Sequence, residues 1–260
     1  YGDHRDLHYP LRRQRQMCIR DRCLILFAIR PLSSYRLVVA ANRDEYYTRP
    51  TRPVEFWREN PDILAGKDLS MGGTWMGITR TGRFAAVTNL RGTPKEVIKI
   101  FSRGKIPIDY LESNESPKSF IAKLAKSIEG YQDFNLLIGD GIDYYYFNSS
   151  SSKVLPLVTG FYGMSNQLLN CNWPKVQNGK QQLKKAINSV RIEEELFSIL
   201  SNNGDGKPFS NSFIAGSIYG TRSQMVLTWN TKGELKFTEK NFMRGGKLEN
   251  TNNISLPIYL

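Results

Sequence analysis

Histidine is the scarcest useful residue in this 260-residue chain: there are two, His4 and His8, both in the first ten positions. From Cys23 onward there is none. Without an imidazole in the body of the chain, Ser-His-Asp and Cys-His catalysis are excluded there, as are His-ligated zinc and His-ligated haem. A nucleophile in that body must find its base elsewhere. Cysteine is nearly as rare. Cys18, Cys23 and Cys171 are irregularly spaced, so they form no disulfide framework and no CxxC zinc pair. No metal site is expected, and a reducing, cytoplasmic compartment is the simpler reading. Long apolar runs are also missing. The longest, Cys23 to Ile29, is seven residues and stops at Arg30. That is too short to span a membrane, and no small-x-small cleavage site follows at once to suggest a signal peptide. "AGKDL" lacks the glycine spacing and the Ser/Thr of a P-loop.

Positive charge is plentiful: the formal net charge is +12. Lys95, Lys99, Arg103, Lys105, Lys123 and Lys180 are scattered rather than clustered, and no RNP-like or helix-turn-helix signature accompanies them. The reading is a basic surface that attracts anionic ligands, with no nucleic-acid partner.

Residues 1–22 differ from the rest of the chain. They are rich in Arg and Gln with no sustained apolar period, and "QMCIRDR" resembles the translation of a sequencing adapter. This head is expected to be artefactual, and disordered or loosely helical. Residues 23–260 are expected to form one domain. Apolar runs at Leu24 to Ile29 and Arg36 to Ala41 flank "RPLSS" as a first hairpin. Three more hairpins come later: "TWMGIT" with "RFAAVTN", "NLLIG" with "DYYYFN", and "SQMVLTWN" with "ELKFTEK". Between them lie helical patterns. Ser116 and Pro117 open one whose stripe is Phe120, Ile121, Leu124 and Ile128. Val176, Leu183, Ile187 and Val190 mark a second, and Ile192, Leu196, Ile199 and Leu200 a third. The class predicted is α+β, with helices packed on antiparallel sheets.

Five places carry candidate chemistry. Cys23 heads an apolar strand, where it is either a small buried residue or a nucleophile. If it were the first residue, its α-amine, titrating near about pH 8, could accept the thiol proton. Asn42, Arg43, Asp44 and Glu45 end a strand, where Asp44 could hold an ammonium and Arg43 an anion, or the run could be a surface ion pair. Asn89 either donates to an oxyanion or caps a turn. Ser165 and Asn166 precede a helix and suit capping. Arg222, at the entry to a strand, is a surface residue or an anion clamp.

Taken in order, "AANRDE", "ILAGKDLSMGGTWMGITRTGRFAAVTN", "GMSN" with "WPKV", and "YGTRSQMVLTW" resemble the NRDE-motif family. Its eukaryotic members are called transport and Golgi organisation protein 2. The resemblance runs from Cys23 to the C-terminus. Members typically begin Met-Cys before an apolar strand; here Arg22 stands in the place of that Met. The family is similar to N-terminal-nucleophile hydrolases, which implies a four-layer αββα sandwich. It further implies Cys23 as nucleophile, Asp44 holding its amine with Arg43 nearby, Asn89 and Asn166 polarising the carbonyl, and Arg222 supporting the site. The adjacency of Arg43 and Asp44 departs from the cysteine hydrolases of that superfamily, where other residues separate the pair. The implied activity is hydrolysis or acyl transfer on a small amide or thioester substrate, with no cofactor required. The alternative is a haem or lipid/acyl-CoA binding and trafficking protein, in which haem iron would need Cys, Met or Tyr, or no strong ligand at all.

Overall fold

A computed structural model describes residues 22–32, 34–91 and 99–258. The expectation of a disordered head at residues 1–22 lies outside the described residues, Arg22 excepted. The chain runs through β1 (Leu24–Leu32), β2 (Tyr35–Tyr46), β3 (Thr51–Phe56), β4 (Ile63–Asp68), β5 (Met76–Thr79), β6 (Phe84–Asn89), α1 (Lys105–Glu112) and α2 (Pro117–Leu124). It continues through β7 (Phe134–Gly139), β8 (Tyr144–Asn148), β9 (Lys153–Leu157), β10 (Gly160–Met164), α3 (Pro174–Ala186) and α4 (Ile192–Leu200). It closes with β11 (Tyr219–Asn230), β12 (Glu234–Met243) and β13 (Lys247–Pro257).

The strands form two antiparallel sheets. One has six strands in the order β10-β1-β2-β11-β12-β13, the other seven in the order β3 to β9. Side-chain alternation explains why β1 reads as an unbroken apolar run. Ile25, Phe27 and Ile29 face the opposite sheet, while Leu24, Leu26 and Ala28 face α3 and α4. A strand covered on both faces has no position left for a polar residue. On the seven-stranded sheet, Leu137 and Ala86 point inward, and Leu136, Ile138 and Ala85 pack outward beneath α1 and α2. Three apolar clusters therefore separate four layers, giving an α+β, αββα sandwich.

The four expected hairpins are present as β1-β2, β5-β6, β7-β8 and β11-β12. Two local expectations need correction, and one helix was not foreseen. Helix α2 stops at Leu124, and residues 125–130 tighten into a 3-10 turn instead of continuing the helix to Ile128. Val190 lies beyond α3 and is fully exposed. Helix α1 was not anticipated: it is short, Pro107 sits in its first turn, and it is held by burial of Ile106, Tyr110 and Leu111 rather than by a side-chain cap.

Close contact docks α3. A Cβ at Gly179 would lie 2.7 Å from the buried Leu26 side chain, so glycine lets the helix approach β1. A different tie joins the two sheets. Glu239 follows Leu235 and Phe237 on the inner face of β12, and its Oε2 accepts a 2.7 Å bond from Val54 N of β3. This lies where the β3-β4 register shifts between Arg52 and Glu55.

Burial pushes the Glu239 carboxyl above its ordinary value of 4.5, against the Val54, Asn241 and Asn252 hydrogen bonds and the Arg43 charge. A folded pKa above the unfolded one means the folded state holds the proton more tightly. The stabilising contribution is therefore complete below pH 4.5 and is lost as pH rises through the folded value. Glu239→Gln keeps a carbonyl for Val54 N and cannot ionise. Its urea midpoint relative to wild type is expected to climb as pH rises above 4.5. A difference that stays constant over that range would contradict this account.

Candidate active site

The site forms where β1, β2 and β11 end together. Leu24 pairs with Asn42 and Thr221 with Asp44. One residue upstream of Leu24, Cys23 comes alongside the Arg43-Asp44 segment. The Asp44 N–H donates to Cys23 Sγ at 3.4 Å, and Sγ lies 3.8 Å from the Asp44 carbonyl oxygen.

The strand period of two divides the four polar residues of β2 between two faces. Asn42 continues the helix-facing set. Its Nδ2 donates to the carbonyls of Leu200 at 2.8 Å and Ser212 at 2.7 Å, closing the C-terminal end of α4. Asp44 is buried, and its Oδ1 accepts from Thr221 Oγ1 at 2.7 Å. Its Oδ2 is buried and accepts no hydrogen bond among the described residues. Desolvation pushes the Asp44 carboxyl upward, while Lys175, the Thr221 bond, Arg22 and Arg43 pull it back. Arg43 continues the set facing the opposite sheet. Its guanidinium lies 4.2 Å from the centre of the Trp75 ring and 3.7 Å from Glu45 Oε2. Burial pushes the Arg43 pKa down, opposed by the negative charges of Glu45, Cys23 and Asp68. Glu45 also lies 3.7 Å from Arg49, which in turn donates through Nε to Asp68 Oδ2 at 3.0 Å.

These residues border a cavity of about 290 Å³. Cys23, Arg43, Asp44, Glu45, Tyr46 and Arg49 line one side, and Asp68, Trp75, Asn89, Arg103 and Gly104 the other. The "GGTW" segment shapes this second side. Gly72 turns at φ +72°. A Cβ at Gly73 would sit 2.5 Å from the Gly104 backbone, and Thr74 N donates to Gly104 O at 3.0 Å. Glycine at residue 73 therefore seats the 102–104 segment against the cavity.

The remaining sequence candidates separate. Asn89 lines the cavity. Asn166 is buried away from the lining and donates from Nδ2 to Asn89 O at 2.9 Å, while its main-chain carbonyl accepts from Arg91 N at 2.8 Å. It braces the end of β6 and does not cap α3. Its neighbour Ser165 bridges the two sheets: Oγ donates to the Cys23 carbonyl, and its main-chain oxygen accepts from Thr88 and Asn135. Arg222 is not part of the lining. Its Nη1 donates to the carbonyls of Tyr46, Tyr47 and Arg49, at 3.2, 2.8 and 3.3 Å, holding the segment that carries Arg49.

One residue escaped the sequence reading. Lys175 is the second residue of α3, yet it is only 2% exposed. Its Nζ donates to the Arg22 carbonyl and lies 3.4 Å from the Cys23 carbonyl oxygen. Burial lowers its pKa to about 8, against the opposing charges of Asp44 and Cys23. A usable signal was present, because a cation in the first turn of a helix opposes the helix dipole and calls for a compensating anion. No group of three or more potential metal-ligating side chains exists among the described residues. No helix among them is long and apolar enough to cross a membrane.

The model of the Transport and Golgi organisation 2 (TANGO2) family matches residues 22–244. The chain is similar to the Transport and Golgi organization protein 2 homolog of Bos taurus, with 32% identity over 85% of this chain and 93% of the relative. The human homolog is 31% identical over the same shares. Transport and Golgi organization protein 2 of Drosophila melanogaster is 27% identical, over 79% of this chain and 86% of the relative. Among solved structures, a Caenorhabditis elegans N-acylethanolamine-hydrolyzing acid amidase ortholog aligns with a TM-score of 0.47 and 13% identity. That alignment covers 79% of this chain and 92% of that one.

The bracing role of Arg222 makes a distinct prediction. Arg222→Ala removes a donor from all three carbonyls, of which Tyr46 O keeps the Arg49 N–H and Arg49 O keeps the Thr51 hydroxyl, and is expected to cost ~1–3 kcal/mol. Hydrogen exchange across Tyr46 to Arg49 should accelerate by roughly tenfold or more, with Val38 to Ala41 unaffected. Unchanged exchange in residues 46–49 would remove Arg222 from this role.

Proposed function

We propose, from the premise that the chain belongs to the Transport and Golgi organisation 2 family, that Cys23 is the nucleophile of an amidohydrolase or acyl-transfer reaction. The observation that carries this reading is the pairing of Cys23 with Asp44. The thiol meets the Asp44 main chain, and the buried carboxylate keeps one oxygen that accepts no hydrogen bond among the described residues. An ammonium would satisfy that oxygen. In a chain beginning at Cys23, the α-ammonium formed when the Cys23 amine takes up the thiol proton is the group that does so.

In that form the reaction follows the N-terminal-nucleophile scheme. The α-amine takes the thiol proton, and Sγ attacks the carbonyl carbon of an amide or thioester. The tetrahedral intermediate collapses as the bond to the leaving group breaks, and the ammonium returns its proton to that group. The product is an S-acyl Cys23 thioester. Water or a second acceptor then attacks this thioester and regenerates the thiol. Asn89, on the cavity lining, donates to the oxyanion in this scheme. A donor of this kind is typically worth ~3 kcal/mol, or 10²–10³-fold in rate. Arg43 stacks on Trp75 and orients an anionic or strongly polar part of the substrate. Asn166 and Arg222 act through the backbone segments they brace.

The carrier alternative, binding haem or lipid without chemistry, draws less support from the lining. Arg43, Asp44, Glu45, Arg49, Asp68 and Arg103 make the cavity heavily charged. A site for a lipid chain or a macrocycle is predominantly apolar. Of the Cys, Met and Tyr side chains that could serve haem iron, Cys23, Tyr46 and Tyr219 line the cavity. A haem titration of wild type and Cys23→Ala compares the two readings. Equal haem binding by both, without acyl chemistry, would favour the carrier.

The direct test is intact-mass analysis of protein beginning at Cys23 after exposure to a panel of acyl amides and thioesters. An acyl adduct on Cys23 is expected, absent from Cys23→Ala and formed about 10²-fold more slowly by Asn89→Ala. If no panel member leaves an adduct or is turned over, the nucleophile reading fails.

A further inference from the structure

Lys175 is an anomaly on three counts. A lysine is almost never fully buried without a partner. A cation at the start of a helix is opposed by the helix dipole. The stem of this one runs inward, so that Nζ meets the main chain at the Arg22–Cys23 peptide and lies 5.6 Å from the centre of the Trp173 ring. Several elements converge on it. Pro174 opens α3 immediately before it, its own backbone N–H donates to Phe209 O at 3.0 Å, and Gly179 lets the helix settle onto Leu26. These contacts fix the start of α3 against β1.

We propose that Lys175 is the charge partner of the Cys23 site, a positioning residue whose ammonium holds the main chain at Cys23 and stabilises both the Asp44 carboxylate and the Cys23 thiolate. This rests on the reading of Cys23 as nucleophile and adds to it a second cationic group, one supplied by a side chain. The ionisable groups acting on Lys175 are Asp44 and Cys23, which favour its charged form, Arg22, which opposes it, and the more weakly coupled Cys171. The same coupling works in reverse: Lys175 is the largest charge opposing the desolvation of Asp44. Its contact with the Cys23 carbonyl belongs to Cys23 itself and does not depend on what precedes that residue.

The test reads thiolate formation without any acyl substrate. The rate of Cys23 alkylation by iodoacetamide is followed against pH by peptide mass analysis in wild type, Lys175→Met and Lys175→Arg. The Met variant is expected to react about tenfold more slowly at neutral pH, with rates converging where the thiol is fully ionised. The Arg variant is expected to recover to within about threefold of wild type. Superimposable pH profiles for wild type and a folded Lys175→Met would overturn the proposal, because a purely structural lysine would leave thiol ionisation unmoved.

A second measurement covers a Met variant that does not fold. NMR of lysine labelled at Nζ and Cε follows the Lys175 titration in wild type and in Cys23→Ala. Because linkage is reciprocal, removing the thiolate should lower the pH at which Lys175 loses its proton. An unchanged titration would equally overturn the proposal. Neither readout depends on turnover. Acyl adducts with superimposable alkylation profiles would sink Lys175 alone. Lys175-dependent alkylation with no adduct on any panel member would sink the hydrolase reading alone.

Discussion

The architecture of this site depends on one constraint: β2 is covered on both faces, so every polar group at its end must be satisfied from a defined side. Apolar residues fill the strand from Leu37 to Ala41. The next four residues are polar and still obey the same alternation. Asn42 and Asp44 fall on the helix side, where they meet the C-terminus of α4, Thr221 and the field of Lys175. Arg43 and Glu45 fall on the sheet side, where they meet Trp75 and Arg49. A one-residue slip of register would exchange these environments, placing the guanidinium among the helices and the carboxylate against an indole. Correct pairing of β2 with β1 and β11 is therefore what assembles the chemistry.

The second tier of the structure keeps that strand end in place. Ser165 joins Cys23 on one sheet to Thr88 and Asn135 on the other. Asn166 ties the Ser165 turn to Asn89, so that the candidate nucleophile and the candidate oxyanion donor share one short bridge between sheets. Arg222 holds the chain that leaves β2. The buried amide and guanidinium groups around the cavity are thus divided between residues that face it and residues that fix the backbone of those that do. Such bracing is what a preorganised site requires, because electrostatic stabilisation depends on donors that need not move when charge develops.

Burial decided which elements were legible in the sequence. The strands of the four recognised hairpins, β1, β2, β5, β6, β7, β8, β11 and β12, are interior to their sheets; two-sided burial gives most of them apolar runs, and β12 alternates buried Leu235 and Phe237 with exposed Glu234 and Lys236. The strands that went unrecognised include all four sheet edges: β3, β9, β10 and β13. Edges are solvated and carry the marks that blunt pairing with other chains. Pro53 and Pro156 interrupt β3 and β9, and the Asn-rich β13 is largely exposed. At the site, Cys23, Arg43, Asp44 and Asn89 were legible and converge on one cavity. The roles of Asn166 and Arg222 as backbone braces were not legible, because a short motif says nothing about which distant carbonyl an amide or guanidinium will reach. Lys175 was hidden for a related reason. It sits among other lysines of a polar helix, and only the close docking of α3 on β1 turns its side chain inward.

The contact between Gly73 and Gly104 bears on how such a pocket can diversify. There, two stretches of main chain touch directly, with no room for a Cβ between them. A wall made of backbone offers no side chain to enlarge, shorten or recharge. Any change in what the cleft admits falls to the side chains around that seam: Arg43, Tyr46 and Arg49 on the facing side, and Asp68, Trp75, Asn89 and Arg103 beside it. The seam acts as a fixed edge, and the shape of the cavity is adjusted by the side chains around it.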